Sequence, residues 1–210
     1  MGVITISRGS YSRGKEIAEK LARKLGYDCI SREVLLAASK EFDIPEVKLT
    51  QAIEYPPSFF EKLLNGKKKY ITFIRKAFLE KIQQDNIVYH GFAGHFFAQD
   101  IPNILRVRII ADTDYRIQVV MDRDKVSEDE ARQILHKVDS DRRKWSMHLY
   151  GMDTHSAELY DVVLRIDCLQ VDAAVTILYK MAKRPCFQTN EGTRKKLQEL
   201  LDAASNEFSF

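Results

Sequence analysis

The sequence predicts an α/β protein in which a parallel sheet is covered by helices on both faces. Two observations carry this expectation. Short apolar or β-branched runs alternate with helical runs along the chain, the order that builds parallel sheets. Between the first strand and the first helix lies a loop with two glycines and a lysine, Gly9 to Lys15, where open parallel sheets gather their ligands.

Val3 to Ser7 is apolar and short, and predicts the first strand; Ile17, Leu21 and Leu25 then recur at helical spacing. Asp28 to Ser31 is long enough only for a strand end, and Arg32 to Phe42 resumes helical spacing through Val34, Leu35 and Ala38. Pro45 marks the start of another helix, because its fixed φ suits a first turn. Tyr55 to Lys69 reads as irregular, a hinge or inserted arm, with Pro56, Pro57, the pair Phe59 and Phe60, and the basic run Lys67, Lys68, Lys69 after Gly66. Tyr70 to Ile82 is apolar nearly all round and predicts a buried helix. Asn86 to His90 and Ile104 to Ala111 predict two further strands, and Asp114 to Asp124 returns to helix. Ser127 followed by Glu130 is a capping box, so a helix begins there and runs toward Trp145, with a charged distal half from Asp139 to Lys144. Val162 to Ile166 predicts the last strand and Ala173 to Met181 the last core helix, before Pro185 breaks the pattern. Residues 190–210 hold one amphipathic helix through Leu197, Leu200 and Leu201, then end on Phe208, Ser209 and Phe210, which suggests a further strand beyond them.

A chain of 210 residues, 45% of them hydrophobic, can bury a full core as one domain with insertions or a small appendage. With 33 basic and 30 acidic residues the net charge is +3, too balanced to force a nucleic-acid partner through bulk electrostatics. Cys29, Cys168 and Cys186 are odd in number and widely spaced, as expected of reduced thiols in a cytoplasmic protein and not of a disulfide framework or a zinc site. There is no basic-then-apolar leader, and no stretch approaches the roughly 20 apolar residues of a membrane span. The protein is expected to be soluble and cytoplasmic.

The chemistry concentrates in the loop. Gly9, four intervening residues, Gly14 and Lys15 match most of the P-loop pattern, in which backbone N–H groups and a helix N-terminus surround phosphates while the lysine reaches the outer ones. The cradle would comprise Gly9, Ser10, Tyr11, Ser12, Arg13, Gly14, Lys15 and Glu16. Glu16 stands where the pattern wants Ser or Thr to help hold Mg²⁺. The plainer alternative is a turn that starts a surface helix, with Glu16 favourable in the first turn. The strand, loop, helix order favours the cradle.

The order of parts resembles the nucleoside monophosphate kinases, and the wording resembles the cytidylate kinase-like family over residues 3 to about 183. Four places carry the likeness: the loop from Ser7 to Lys15; Arg32-Glu33 after the second strand; Ile87 to Ala93, with its glycine turn at Gly91; and the segment from Leu105 through Tyr115-Arg116, Ser127 to Ala131, Asp139, Arg142 and Arg143 to Tyr160-Asp161. The resemblance implies a three-layer P-loop NTPase fold over residues 1–185. Within it, residues 31–85 would form an acceptor-binding helical insertion and residues 122–153 a mobile lid, with 186–210 a tail or the start of a further domain. It also implies ATP-dependent phosphoryl transfer, with Mg²⁺, to a nucleoside monophosphate, CMP or dCMP being the usual acceptors. In that scheme Lys15, Arg142 and Arg143 are catalytic, while Arg32, Gly91 and Arg106 serve the acceptor. No protein metal-ligand set is expected, and the partners are small nucleotides, with no membrane.

Departures from the family pattern are visible too. Phe92 follows Gly91 where these kinases usually carry an arginine for the acceptor phosphate, and a ring cannot make a guanidinium's paired bonds. Arg106, Arg108 or His95 could compensate. Ser31 precedes Arg32 where an acidic residue is usual, and Ser10 or Ser12 could supply the hydroxyl that Glu16 lacks. His90 and His95 are expected to be structural, and Tyr55, Phe59, Phe60 and Tyr70 either stack a base or pack a core. The rival reading is a nucleotide-binding sensor with weakened catalysis. A third, a nucleic-acid module, would use Lys67 to Lys69 and Arg142 to Lys144.

Overall fold

The computed structural model describes residues 1–54 and 66–206, with backbone alone at residues 8 and 66–68. The aromatic candidates Tyr55, Phe59 and Phe60 and the closing Phe208 to Phe210 therefore lie outside the described residues, as do the side chains of Lys67 and Lys68.

Five parallel strands form one sheet: β1 (Val3–Arg8), β2 (Asp28–Ile30), β3 (Ile87–Tyr89), β4 (Leu105–Ile110) and β5 (Val162–Arg165), in the order β2-β3-β1-β4-β5. β1 is central, with Thr5 in register with Tyr89 on one side and Arg106 on the other. The chain crosses from β2 and β3 to β1's far side after β3, so the loop that follows β1 sits at a switch in strand order, between β3 and β4.

Helices cover both faces. On one, α1 (Gly14–Leu25) and α9 (Val171–Ala182) pack Ile17, Leu21, Ala174 and Leu178 against Ile4, Ile6, Val107 and Ile109, all buried. On the other, α2 (Arg32–Phe42), α3 (Glu46–Glu54), α4 (Gly66–Ile82) and α5 (Gly94–Phe97) enclose Val34, Leu49, Phe78 and Phe97. α6 (Thr113–Asp124) and α7 (Glu128–Tyr150) share a smaller core of Ile117, Val120, Ala131 and Leu135. A single-turn helix, α8 (Ile166–Leu169), leads into α9, and α10 (Glu191–Asn206) returns Leu197 and Leu201 to the larger core.

The helix ends follow their local chemistry. Ser127 and Glu130 form the capping box that opens α7, and Gly151 closes it at φ 65° with its N–H donating to the Met147 carbonyl at 3.1 Å. α7 thus runs past Trp145 by a turn and more. Trp145 is buried, and its indole N–H donates to the Ala52 carbonyl of α3 at 2.9 Å. The segment 122–153, expected as a lid, therefore has its distal end set into the main core and tied to α3. α4 begins at Gly66, so Lys69 and its basic neighbours occupy a first helical turn, where cations oppose the helix dipole and read as loop. Among the described residues no helix is long and apolar enough to cross a membrane.

Candidate functional site

The loop after β1 is shaped by bonds to its neighbour strand. The Gly9 N–H donates to the Ile109 carbonyl at 2.8 Å, and the Ser12 hydroxyl, 1% exposed, reaches both the Gly9 carbonyl at 2.8 Å and the Ile109 carbonyl at 3.0 Å. Tyr11 and Arg13 adopt φ of 59° and 53°, a left-handed residue at every second position. Such alternation builds concave arrays of N–H groups, and side chains held there mark strain retained at a site. Arg13 is the N-cap of α1 and its side chain caps nothing, so the first-turn N–H groups are left for an outside acceptor.

Over this loop lies a cavity of about 410 Å³, open to Ser10, Gly14, Lys15, Phe92, Arg123 and Arg142, among others. Lys15 stands at its edge, 64% exposed, with its ammonium 3.7 Å from Glu19 one turn along α1. Glu16 faces away from metal chemistry: Arg13 donates to it at 2.7 Å and Lys20 lies 3.3 Å off. Ser12 is engaged in holding the loop, whereas the buried Ser10 hydroxyl makes no hydrogen bond. Among the described residues no group of three His, Cys, Asp or Glu side chains could hold a metal by itself. Two single carboxylates, Glu54 and Asp141, do line the cavity.

A second cavity, about 470 Å³, opens between α2, α3 and the turn after β3. Glu54 and Phe92 line both chambers, so they form the shared wall. Arg32 is on the second chamber but is forked onto Glu46 at 2.5 and 2.7 Å, which holds α2 to α3. Gly91 is where it must be: a Cβ there would lie 2.4 Å from the Tyr89 hydroxyl, and that hydroxyl donates to the Phe92 carbonyl at 2.9 Å. Gly91→Ala is expected to cost about 1–3 kcal/mol through forced repacking, read as a lower denaturation midpoint with unchanged slope.

Arg142 and Arg143 part company. Arg142 places its guanidinium 4.9 Å from the Phe92 ring centre and lines the loop cavity. Arg143 points off this wall and pairs with Asp153 at 2.9 Å. Arg106 lies mid-strand, bonded to Asp161 at 3.1 and 3.3 Å, and lines neither chamber. Arg108, which the strand alternation turns to the same face, donates to the Thr154 carbonyl and lies 5.6 Å from the Tyr160 ring.

Two arginines to which the sequence assigned no role at the site hold the loop from α6. Arg116 donates to the Ser10 carbonyl at 2.7 Å and to Asp139 at 2.7 Å, tying the loop to α7. Arg123 stacks 4.4 Å over Tyr11 and donates to its hydroxyl at 2.8 Å. Both sit on α6, seven residues apart; the family wording at Tyr115-Arg116 was a signal for Arg116, and helical spacing was the signal for Arg123.

Behind Phe92 a small cavity of about 40 Å³ reaches His95, Ser7, Ser146 and Thr154. His95 is 5% exposed, neither ring nitrogen has a hydrogen-bond partner, and burial, helped by Arg108 and Arg106, pushes its pKa down to about 3. The unfolded imidazole titrates near 6.5. Between those values the unfolded chain binds a proton that the folded one does not, so stability falls as pH drops through this window. His95→Gln is expected to flatten that part of the slope, measured as urea stability between pH 4 and 7.

Comparison with known proteins places these features in a wider set. The model of the cytidylate kinase-like family matches residues 3–167. A curated cytidylate kinase of Pyrobaculum neutrophilum is 25% identical over 180 residues, covering 84% of this chain and 90% of its own. The crystal structure of an uncharacterized protein from Eubacterium ventriosum superposes with a TM-score of 0.67 at 21% identity, over 85% of this chain and 96% of that one. A shikimate kinase from Bacteroides thetaiotaomicron shares the fold at 12% identity and a TM-score of 0.54, over 87% of this chain and 99% of its own.

Proposed function

This chain belongs to the cytidylate kinase-like family, and from that premise we propose that it moves the terminal phosphoryl group of ATP onto a nucleoside monophosphate, with CMP and dCMP the first acceptors to test. The observation that supports the reading best is the pair of chambers meeting at Glu54 and Phe92, one floored by the β1–α1 loop and the other bounded by α2 and α3. Two anionic substrates entering from opposite sides would meet at that wall.

Phosphoryl transfer asks a protein mainly to align its substrates and to offset spreading negative charge. The first-turn amides of α1 and the Lys15 ammonium take the donor's phosphates, Lys15 leaving Glu19 to do so. Arg142, at the wall, is the cation nearest the transferred group, a role that the placement of Arg143 on Asp153 does not suit. Arg32 holds the acceptor's phosphate in exchange for its bonds to Glu46. The bond from the terminal phosphorus to the bridging oxygen breaks, a bond to an acceptor phosphate oxygen forms, and ADP leaves with a nucleoside diphosphate.

The residues present fit a Mg²⁺ that arrives with the nucleotide: Ser10 has a hydroxyl without a partner, and Glu54 and Asp141 are carboxylates on the same cavity. When bound, Mg²⁺ supplies neutralisation across the donor's phosphates.

Purified protein with ATP, Mg²⁺ and each nucleoside monophosphate in turn is expected to release ADP with at least one of them. A folded protein that turns over none of them would contradict the proposal. One observation favours a second reading, a sensor that binds nucleotide without transfer: both Arg32 and Lys15 already have acidic neighbours, in Glu46 and Glu19. Saturable ATP binding without ADP release would decide for it.

A further inference from the structure

The far end of the sheet holds a cavity that the phosphate chemistry does not use. About 170 Å³ in volume, it lies where β1, β3 and β4 begin, between α4 and α10, and so opposite the β1–α1 loop. α10 lies beyond residues 3–167, so the family match does not account for it.

Its lining is divided. Val3, Ile82, Ile101, Ile104 and Leu197 make an apolar floor, all of them buried. Asp85 is the charged group set into this floor, and it is 8% exposed. Asp85 and Asn86 take left-handed φ of 61° and 54° in succession, a conformation that these two residue types tolerate. The two oxygens of Asp85 differ in what they receive. Oδ1 accepts from the Asn86 N–H at 3.0 Å and from the Thr189 hydroxyl at 3.0 Å. Oδ2 is buried without a hydrogen-bond donor and is ion-paired at 3.7 Å with the half-exposed Arg194, a contact beyond hydrogen-bond range.

A buried carboxylate oxygen without a donor is costly, and a ligand that brings one recovers that cost on binding. One water needs roughly 10–15 Å³ of such space, so the cavity has room for a compact organic molecule. Apolar walls around one anionic oxygen suit a short hydrocarbon carrying a cationic donor. We propose that this cavity is a second ligand site that binds a small primary ammonium compound, its nitrogen donating to Asp85 Oδ2 and its alkyl body lying on the floor between Val3, Ile104 and Leu197. The site is independent of nucleotide binding, being at the other end of the strands.

n-Pentylamine, protonated at pH 7.5, is the probe, with n-pentanol as the neutral control, followed by calorimetry and amide chemical shifts on the full chain. The expected result is saturable binding of one equivalent of the amine, with shifts at Asp85, Ile104 and Leu197, and at least tenfold weaker binding of the alcohol. Asp85→Asn is expected to weaken the amine about tenfold or more. Arg194→Gln, at a half-exposed rim position, is expected to tighten it several-fold by removing a competing cation. No saturable amine binding would overturn the proposal, as would equal binding of amine and alcohol. Indifference of the amine to Arg194→Gln would overturn it even if Asp85→Asn failed to fold.

Discussion

Arg142→Ala is expected to lower kcat by roughly 10³-fold, the lower end of what an arginine contributes to a transferring phosphoryl group. Arg142 lines the loop chamber, with its guanidinium 4.9 Å from the ring of Phe92, one of the two residues that line both chambers. The change should fall on kcat more than on the KM for ATP, because charge at that wall grows as the phosphoryl group leaves its donor. Arg142→Lys should recover little, since an ammonium cannot present a planar fork or stack on Phe92 in the same way. The neighbouring Arg143→Ala is the control: its side chain is committed to Asp153, so kcat should stay within a few-fold of the parent. Steady-state ADP release from all three variants checks the set, and equal losses at Arg142 and Arg143 would move the catalytic cation off the wall.

Lys15→Met is expected to reduce kcat/KM for ATP by about 10²–10³-fold, the scale of removing one preorganised donor. The methionine keeps the stem and removes the charge, and the contact given up, 3.7 Å to an exposed Glu19, is a weak surface pair. Thermal midpoint should therefore hardly move while activity collapses. The complementary change, Glu19→Gln, frees Lys15 from its resting neighbour and should leave kcat/KM equal to the parent or somewhat higher. A Lys15→Met protein with near-parent kinetics would mean that the ammonium stays on Glu19 throughout the reaction cycle.

The sheet and its flanking helices could be read from the sequence because their signals are local. β1 is a short apolar run, β4 alternates apolar residues with Arg106 and Arg108, α7 carries its own capping box at Ser127 and Glu130, and α2 matched the spacing of Val34 and Ala38 from end to end. The single-turn helices α5 and α8 were not legible, since four residues are too few to show a period. Gly9, Gly14 and Lys15 located the loop between β1 and α1, but not the directions in which long side chains lie. Arg32, Arg106 and Arg143 took their expected roles from the family resemblance. Their partners Glu46, Asp161 and Asp153 lie 14, 55 and 10 residues away, and only folding brings these pairs together. The same holds for Arg116 and Arg123, whose contacts to Ser10 and Tyr11 span more than a hundred residues. Phe92 was legible as a departure from the family wording, yet its position as a wall between two chambers is a property of the fold.

Amide chemical shifts recorded on titration with ATP and Mg²⁺ test the cradle most directly. Large, saturable shifts are expected at the N–H groups of Gly14, Lys15 and Glu16 and at Gly9, with smaller ones on α7 near Arg142. Saturable ATP binding that leaves those amides unmoved and shifts another part of the surface would contradict the assignment of the β1–α1 loop as the phosphate site.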